Sequence, residues 1–167
     1  PNAQGISVIH LHTTSSYVDL CEYIQHAWEE VGFKVEINVN PPSTHRQQVS
    51  KSQLSIFRGS WIADYADAEN YLSLFYSKNH SPNGPNYTHF SNDKFDALYK
   101  RSIRIPNLKN RISLYEKMDS MIIHEAAIIP LYYDNVVRFS HKNVKGLGSN
   151  AMNLLDLKRV KLMINND

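Results

Sequence analysis

The chain contains a single cysteine, Cys21, and no long apolar run. One thiol excludes an intramolecular disulfide and a cysteine metal cluster, but it does not exclude an oxidising compartment. No segment approaches the run of about 20 apolar residues that spans a bilayer, and no basic segment followed by an apolar one opens the chain. We therefore expect a soluble chain, with the Cys21 thiol buried and inert in a helix.

An excess of charge of either sign is also missing. The 18 basic residues face 16 acidic ones, and the two signs are interspersed along the sequence. Such a surface is not typical of nucleic-acid binding, which uses a basic patch. The 167 residues, of which 42% are hydrophobic, suffice for one sizeable core. We expect one domain, or a piece of one, with no nucleic-acid partner.

The usual signatures of dinucleotide, phosphate and acyl-transfer chemistry are absent, since there is no Gly-x-Gly-x-x-Gly, Walker loop or Gly-x-Ser-x-Gly. His10 and His12 lie two residues apart on a predicted strand, so they share one face and could hold a metal. No third ligand lies nearby in sequence, and packing or surface roles are favoured. The sequence therefore predicts no metal site and no cofactor, and argues against an enzyme.

Apolar periodicity in the first half of the chain predicts alternating strands and helices. The predicted strands are residues 6–12, 33–39 and 54–57, and the predicted helix is residues 16–31. Residues 43–50 form a short turn or helix, and residues 67–75 can form a short helix. Ser16 opens a capping box for the first helix, and Gly32 ends it. Because a strand, a helix and a strand form one β-α-β unit, the first two strands should be parallel.

The second half begins with a long polar loop, residues 77–91, of the kind that is often functional. Two helices follow, starting at Asn92 and near Asn107. Their predicted inward residues are Phe95, Leu98, Tyr99 and Ile103, then Ile112, Tyr115, Met118 and Ile122. Residues 126–133 are apolar without a helical period and predict a buried strand. Two short apolar stretches, residues 153–157 and 160–164, could pair as strands.

Residues 61–65, Trp-Ile-Ala-Asp-Tyr, place a carboxylate beside two large aromatics just after a predicted strand. Binding crevices of α/β domains open at this end of a strand. A carboxylate flanked by π faces suits capture of an ammonium group. We expect Trp61 and Tyr65 to desolvate Asp64 partly, and Asp64 either contacts a ligand or makes a structural hydrogen bond. Asp67 and Glu69 are interpreted as part of a solvated turn.

From Ser55 onward, the order of features resembles the C-terminal part of the oligopeptide- and dipeptide-binding proteins of bacterial ABC importers. This is extracellular solute-binding protein family 5, which also includes nickel- and haem-binding members. The segments that carry the resemblance are Gly59-Ser60-Trp61-Ile62-Ala63-Asp64-Tyr65, Asn70-Tyr71-Leu72, Asn86-Tyr87, Phe95-Asp96-Ala97-Leu98, Arg111, Leu114-Tyr115, Ile128-Ile129-Pro130-Leu131-Tyr132-Tyr133 and Val144-Lys145-Gly146. Each is weak alone, whereas their shared order and spacing are specific. Asp67-Ala68 departs from the Asp-Pro often found there.

The resemblance implies an α/β fold, a periplasmic-binding-protein-like C-terminal lobe with a mixed sheet flanked by helices. Residues 1–137 would form this lobe of a two-lobe protein. Residues 138–167 would form a tail that returns to an N-terminal lobe not included in the chain. The family's cleft closes between its two lobes, so this chain would supply one wall of a binding site.

The resemblance also assigns site residues. Asp64 would pair with the α-ammonium of a peptide, Trp61 would line the cleft, and the main chain at Ile62 and Ala63 would bond an extended ligand. The remaining residues expected to bind the ligand are Tyr65, Asn86 and Tyr87.

The implied function is non-enzymatic binding of a solute, an oligopeptide, for import through an ABC permease in the membrane. The full-length protein would be periplasmic or extracellular and lipid-anchored. Two alternatives stay open. One is a nickel-chelate or haem receptor of the same family that uses His10, His12 or a loop histidine. The other is a small stand-alone hydrolase that uses Asp64 and a nearby histidine.

Overall fold

The structure is a computed structural model that describes residues 8–150 and 153–163. Its strands are β1 (Ile9–Thr13), β2 (Val35–Val39), β3 (Ile56–Phe57), β4 (Val144–Lys145) and β5 (Lys161–Leu162). Its α-helices are α1 (Val18–Glu30), α2 (Pro42–Ser50), α3 (Glu69–Leu72), α4 (Asp93–Ser102) and α5 (Leu108–His124). None of the described helices is both long enough and apolar enough to cross a membrane.

The first three strands form a parallel sheet in the order β2-β1-β3. Leu11 on the central strand lies opposite Ile37 on one side and Ile56 on the other. The predicted parallel pairing of the first two strands is therefore confirmed. The α/β fold class is also confirmed, and its strands divide between this sheet and the separate antiparallel pair of β4 and β5. Residues 6 and 7 of the predicted first strand lie outside the described residues.

Helix α1 packs one side of the sheet and ends where the sequence predicts. Gly32 follows it at a φ of +97°, a backbone conformation that glycine adopts without strain. Its start differs from the prediction, because a 3-10 turn at Ser15–Tyr17 leads into the helix and no side chain caps it. The capping box predicted at Ser16 is therefore wrong. The predicted burial of Cys21 is confirmed, since its side chain is 0% exposed against Leu11 and Val35.

The larger core lies around α4 and α5, whose first turns are capped by Asn92 and Asn107. Its buried residues are Leu72, Phe75, Phe90, Phe95, Tyr99, Leu114, Tyr115, Met118 and Ile122. Two residues predicted to point into this core are exposed instead, Ile103 to 55% and Ile112 to 44%. Ile103 is the C-cap residue of α4, one position past the last residue of the helix. In α5, Leu114 is buried and Ile112 is not.

Residues 126–133 are not a buried strand, which contradicts the prediction. Ile129 is 62% exposed and Tyr133 is 95% exposed. An apolar run indicates burial without saying what covers it; Ala127 packs against the helical core, but Ile129 and Tyr133 do not share that burial. Further on, β5 forms within the predicted stretch 160–164, but residues 153–157 are not a strand and β5 pairs with β4 instead.

Candidate ligand-binding site

The candidate site opens at the carboxyl edge of the parallel sheet. The chain passes from β1 to β2 on one side and then from β2 to β3 on the other, so the strand order reverses beside β1. In open α/β sheets, ligands bind in the crevice at this reversal. Arg58 leaves β3 there, donating its backbone N–H to the His12 carbonyl at 2.8 Å. Residues 61–65, which we name the acidic loop, come directly after.

One buried side chain, Asn70 on α3, holds the acidic loop in shape. Its Oδ1 accepts the indole N–H of Trp61 at 2.8 Å and the backbone N–H of Asp64 at 3.2 Å. Its Nδ2 donates to Asp64 Oδ2 at 3.3 Å. Asn70 is only 3% exposed, so these bonds are shielded from competing water. The amide thus fixes both the tryptophan ring and the carboxylate.

The other aromatic of the loop is tied to a second carboxylate. The hydroxyls of Tyr65 and Tyr99 donate to the two different oxygens of Glu69. This hydrogen bond to Glu69 raises the pKa of Tyr65, since it favours the protonated phenol. For Tyr99, burial is the larger cause of a raised pKa and the bond to Glu69 is the next. Glu69 therefore joins the acidic loop to α4.

Asp67 makes the corresponding connection to α5. It accepts the Tyr115 hydroxyl at 2.9 Å and pairs with Arg111 at 2.9 Å, and it also accepts the backbone N–H of Glu69 at 3.0 Å. Burial, followed by the bond to Asp67, raises the pKa of Tyr115 to about 12. The interpretation of Asp67 and Glu69 as a solvated turn is therefore wrong. Both carboxylates anchor the loop to the helices.

These bonds determine what the acidic loop presents to solvent. Trp61 and Tyr65 direct their polar atoms to Asn70 and Glu69, so they keep only ring surface for a ligand. Asp64 is exposed, and its Oδ1 makes no hydrogen bond to any described residue. Asp64 stays exposed beside these anchored side chains, so the expected partial desolvation by the two rings is not seen. The hydrolase hypothesis would require a histidine bonded to Asp64, and none of the described histidines makes that bond.

Asn86 and Tyr87, in the polar loop, differ in their placement. Asn86 is 0% exposed, and its Nδ2 donates to the carbonyls of Tyr76 at 3.1 Å and Phe90 at 3.0 Å. In this structure the amide therefore holds the polar loop together, and the predicted ligand contact of Asn86 stays a prediction. Tyr87 is half-buried, and its predicted contact stays a prediction.

The two strand histidines lie on one face of the sheet, each beside an asparagine of the neighbouring chain segment. The Nδ1 of His10 lies 3.2 Å from Asn38 Nδ2, and that of His12 lies 3.4 Å from Asn40 Nδ2. Burial, and then the charges of His10 and His45, lower the pKa of His12. Within residues 8–150 and 153–163, no three potential metal ligands are grouped closely enough to hold an ion.

Sequence reasoning missed two residues of this edge as site members. In the sequence, Asn70 stands out only as part of the resemblance, although an asparagine shortly after an acidic loop can form hydrogen bonds with that loop. Arg58 stacks its guanidinium 3.3 Å from the Tyr17 ring centre and donates to Ser60 Oγ at 3.4 Å. Its position directly after β3 is the sequence feature that could have identified Arg58 as a member of the site. Arg58 adds a positive group to the edge that bears Asp64.

Comparison with known proteins identifies relatives of this chain. Residues 2–83 match the family described as bacterial extracellular solute-binding proteins, family 5 Middle. The dipeptide-binding protein DppE of Bacillus subtilis is 33% identical over 112 residues, which are 67% of this chain and 20% of that protein. The heme-binding protein A of Haemophilus influenzae is 26% identical over 112 residues, with the same 67% and 20% coverage.

A solved structure extends the match to nearly the whole chain. The periplasmic binding protein DppA from Helicobacter pylori, in complex with the peptide STSA, superposes with a TM-score of 0.75. The two are 24% identical, and the match covers 93% of this chain and 31% of that one.

The fold and the family match together place the chain in the class of bacterial extracellular solute-binding proteins. Within that class, the chain belongs to family 5. It spans about a fifth of the length of DppE and of heme-binding protein A.

Proposed function

We propose that this chain provides one wall of the binding cleft of a non-enzymatic receptor that captures peptides for ABC-type import. The observation that carries the proposal is the exposed Asp64 carboxylate, whose Oδ1 makes no hydrogen bond to the described residues and which shares its loop with the Trp61 and Tyr65 rings. A peptide's α-ammonium would donate to this oxygen, and the rings would contact its first residue. The matches to DppE and DppA support a peptide as the ligand.

The backbone of the acidic loop supports an extended ligand. Ile62 and Ala63 form no backbone hydrogen bond with the described residues, and Ile62 is 80% exposed. A peptide lying along them would satisfy these groups as an added strand does, with little dependence on its side chains. Tyr65 would add ring surface, and Tyr87 would contact the ligand from the polar loop.

The rest of the receptor would come from a longer protein. Residues 1–137 would be the C-terminal lobe, and residues 138–167 would be a tail that packs on an N-terminal lobe. The exposed apolar side chains after α5 support this arrangement, because Val137 is 74% exposed and Phe139 is 93% exposed. The complete protein would act outside the cytoplasmic membrane, held by a lipid anchor, and would deliver its ligand to the permease.

The test compares two probes on the full-length protein that contains this sequence, namely trialanine and N-acetyltrialanine. Asp64→Asn should weaken trialanine binding roughly 30-fold in calorimetry, since a charged partner is lost, and should change N-acetyltrialanine binding little. Asp119→Asn, the same change on an exposed position of α5, is the matched control. Equal losses for the two probes would rule out the ammonium role.

A haem or nickel-chelate receptor is the second candidate. The match to heme-binding protein A favours it, as do His10 and His12 on one face of the sheet. Haem or nickel would then raise the midpoint of thermal unfolding of the full-length protein, and His12→Gln would abolish the rise. Trialanine alone raising the midpoint would support the peptide receptor instead.

A further inference from the structure

Asn70 contributes to the site without contacting a ligand. We propose that Asn70 is a positioning residue, which aims the Asp64 carboxylate at a primary ammonium and holds the Trp61 ring beside it. This proposal rests on the proposed function of Asp64. It assigns the specificity of the site to a side chain that is 3% exposed and lies outside the acidic loop.

The geometry matches the chemistry of a side-chain amide. One oxygen receives two N–H donors, from Trp61 at 2.8 Å and Asp64 at 3.2 Å, while the nitrogen donates to Asp64 Oδ2 at 3.3 Å. A carboxylate in the same place would lack the donor, and an aliphatic side chain would lack both functions. The Asn70 amide supplies both functions, so it bonds the ring and the carboxylate together.

Asn70 is itself fixed by the helical core. Its backbone N–H donates to the Asp67 carbonyl at 3.1 Å, and its carbonyl accepts the Ser73 hydroxyl at 2.7 Å. Asp67 is in turn held by Arg111 and Tyr115 of α5. The amide is therefore a rigid support, and a carboxylate that is held in place before binding loses less entropy when the ligand arrives.

The bond from Asn70 also selects among cations. It engages Asp64 Oδ2 and leaves Oδ1 for the ligand. A primary ammonium can donate one N–H to this single oxygen. A guanidinium binds a carboxylate best through both oxygens, and would have to share Oδ2 with the Asn70 amide. We therefore expect the site to prefer an amino terminus over an arginine side chain.

The experiment measures the ratio of the affinities for trialanine and N-acetyltrialanine in the full-length protein. Asn70→Ala should lower this ratio by about tenfold, because the carboxylate is no longer held and is free to adopt many orientations. Asn92→Ala is the matched control, since it removes a helix cap on α4 and destabilises the fold away from the site. That control should leave the ratio unchanged.

A folded Asn70→Ala variant that keeps the ratio of the unaltered protein would overturn the positioning role. An unaltered protein with no preference for trialanine would instead refute the proposed function of Asp64, so the two failures can be told apart. If Asn70→Ala does not fold, the indole N–H of Trp61 is observed by NMR in the unaltered protein. Slow exchange of this proton supports the bond to Asn70, and exchange as fast as in free tryptophan contradicts it.

Discussion

Two regions of the chain have similar apolar side chains and opposite burial. The helical region, residues 69–124, buries Phe95 to 0% exposure and Tyr115 to 6%. The tail region, residues 126–163, leaves Phe139 at 93% and Tyr133 at 95% exposure. The helical region buries its apolar residues because α4 and α5 pack against each other along amphipathic faces. Burial therefore depends on a matching second surface, and not on apolar content alone.

The same difference decides which part of the molecule can position a ligand. The acidic loop is bonded to the helical region through Asp67, Glu69 and Asn70, and each of these has partners on a packed element. The tail region has the small β4 and β5 ladder and few bonds to the rest of the chain. We therefore expect changes in the helical region to reach the site and changes in the tail to leave it intact.

The largest effect should come from removing a core aromatic ring. Phe95→Ala should lower the free energy of unfolding by about 3–5 kcal/mol, because it deletes a fully buried ring and leaves a cavity. Phe139→Ala makes the same chemical change in the tail and should stay within about 0.5 kcal/mol. Urea unfolding of the 167-residue chain measures both free energies. Similar losses for the two variants would show that the tail is packed in solution.

A smaller loss should follow from breaking the link between the acidic loop and α5. Asp67→Ala removes the partner of Arg111 and Tyr115, whose side chains stay partly buried, and should cost about 2 kcal/mol. Glu36→Ala breaks an exposed ion pair with His10 and should cost less than about 0.5 kcal/mol. Equal costs measured by urea unfolding would contradict the anchoring role of Asp67.

Alkaline pH should weaken the helical region through Tyr115. Its pKa is raised from 10.0 to about 12, so its stabilising contribution is complete below pH 10 and is lost as the pH rises toward 12. We expect the free energy of unfolding to fall across this window, and to fall less steeply in Tyr115→Phe. Tyr133→Phe, at an exposed position, is the control. Identical pH dependences for unaltered protein and Tyr115→Phe would refute this assignment.

The smallest effect in the isolated chain should come from charging the tail. Phe139→Asp, at a side chain that is 93% exposed, should change the free energy of unfolding of the 167-residue chain by less than about 0.5 kcal/mol. In the full-length protein the same change should cost at least about 1.5 kcal/mol, because the proposed N-terminal lobe would bury the charge. A negligible cost in both proteins would argue against that docking.

Local patterns predicted most of the fold. Alternation placed β1 and β2, Gly32 marked the end of α1, and Asn92 marked the start of α4. These signals act within a few residues, so the sequence displays them directly. The error at residues 126–133 has the opposite cause, because the burial of an apolar run depends on elements elsewhere in the protein.

The candidate site was predicted in outline only. The acidic loop and Asp64 could be identified because a carboxylate between aromatics is unusual and follows a strand. The hydrogen bonds of Asn70 could not be predicted, nor could the burial of Asn86, since both depend on how side chains pack across separate segments. A sequence indicates which polar groups are present, but their partners follow from packing.

The sequence by itself determined the order of the helices and strands as far as α5, the family, and the location of the acidic loop after β3. Periodicity, glycine conformation and helix caps are local properties, which is why they could be read directly. Only the tertiary structure decided that Trp61 and Tyr65 turn their polar atoms inward while Asp64 stays exposed. That outcome depends on the buried Asn70 and the anchored Glu69, whose positions are fixed by the packing of α3, α4 and α5.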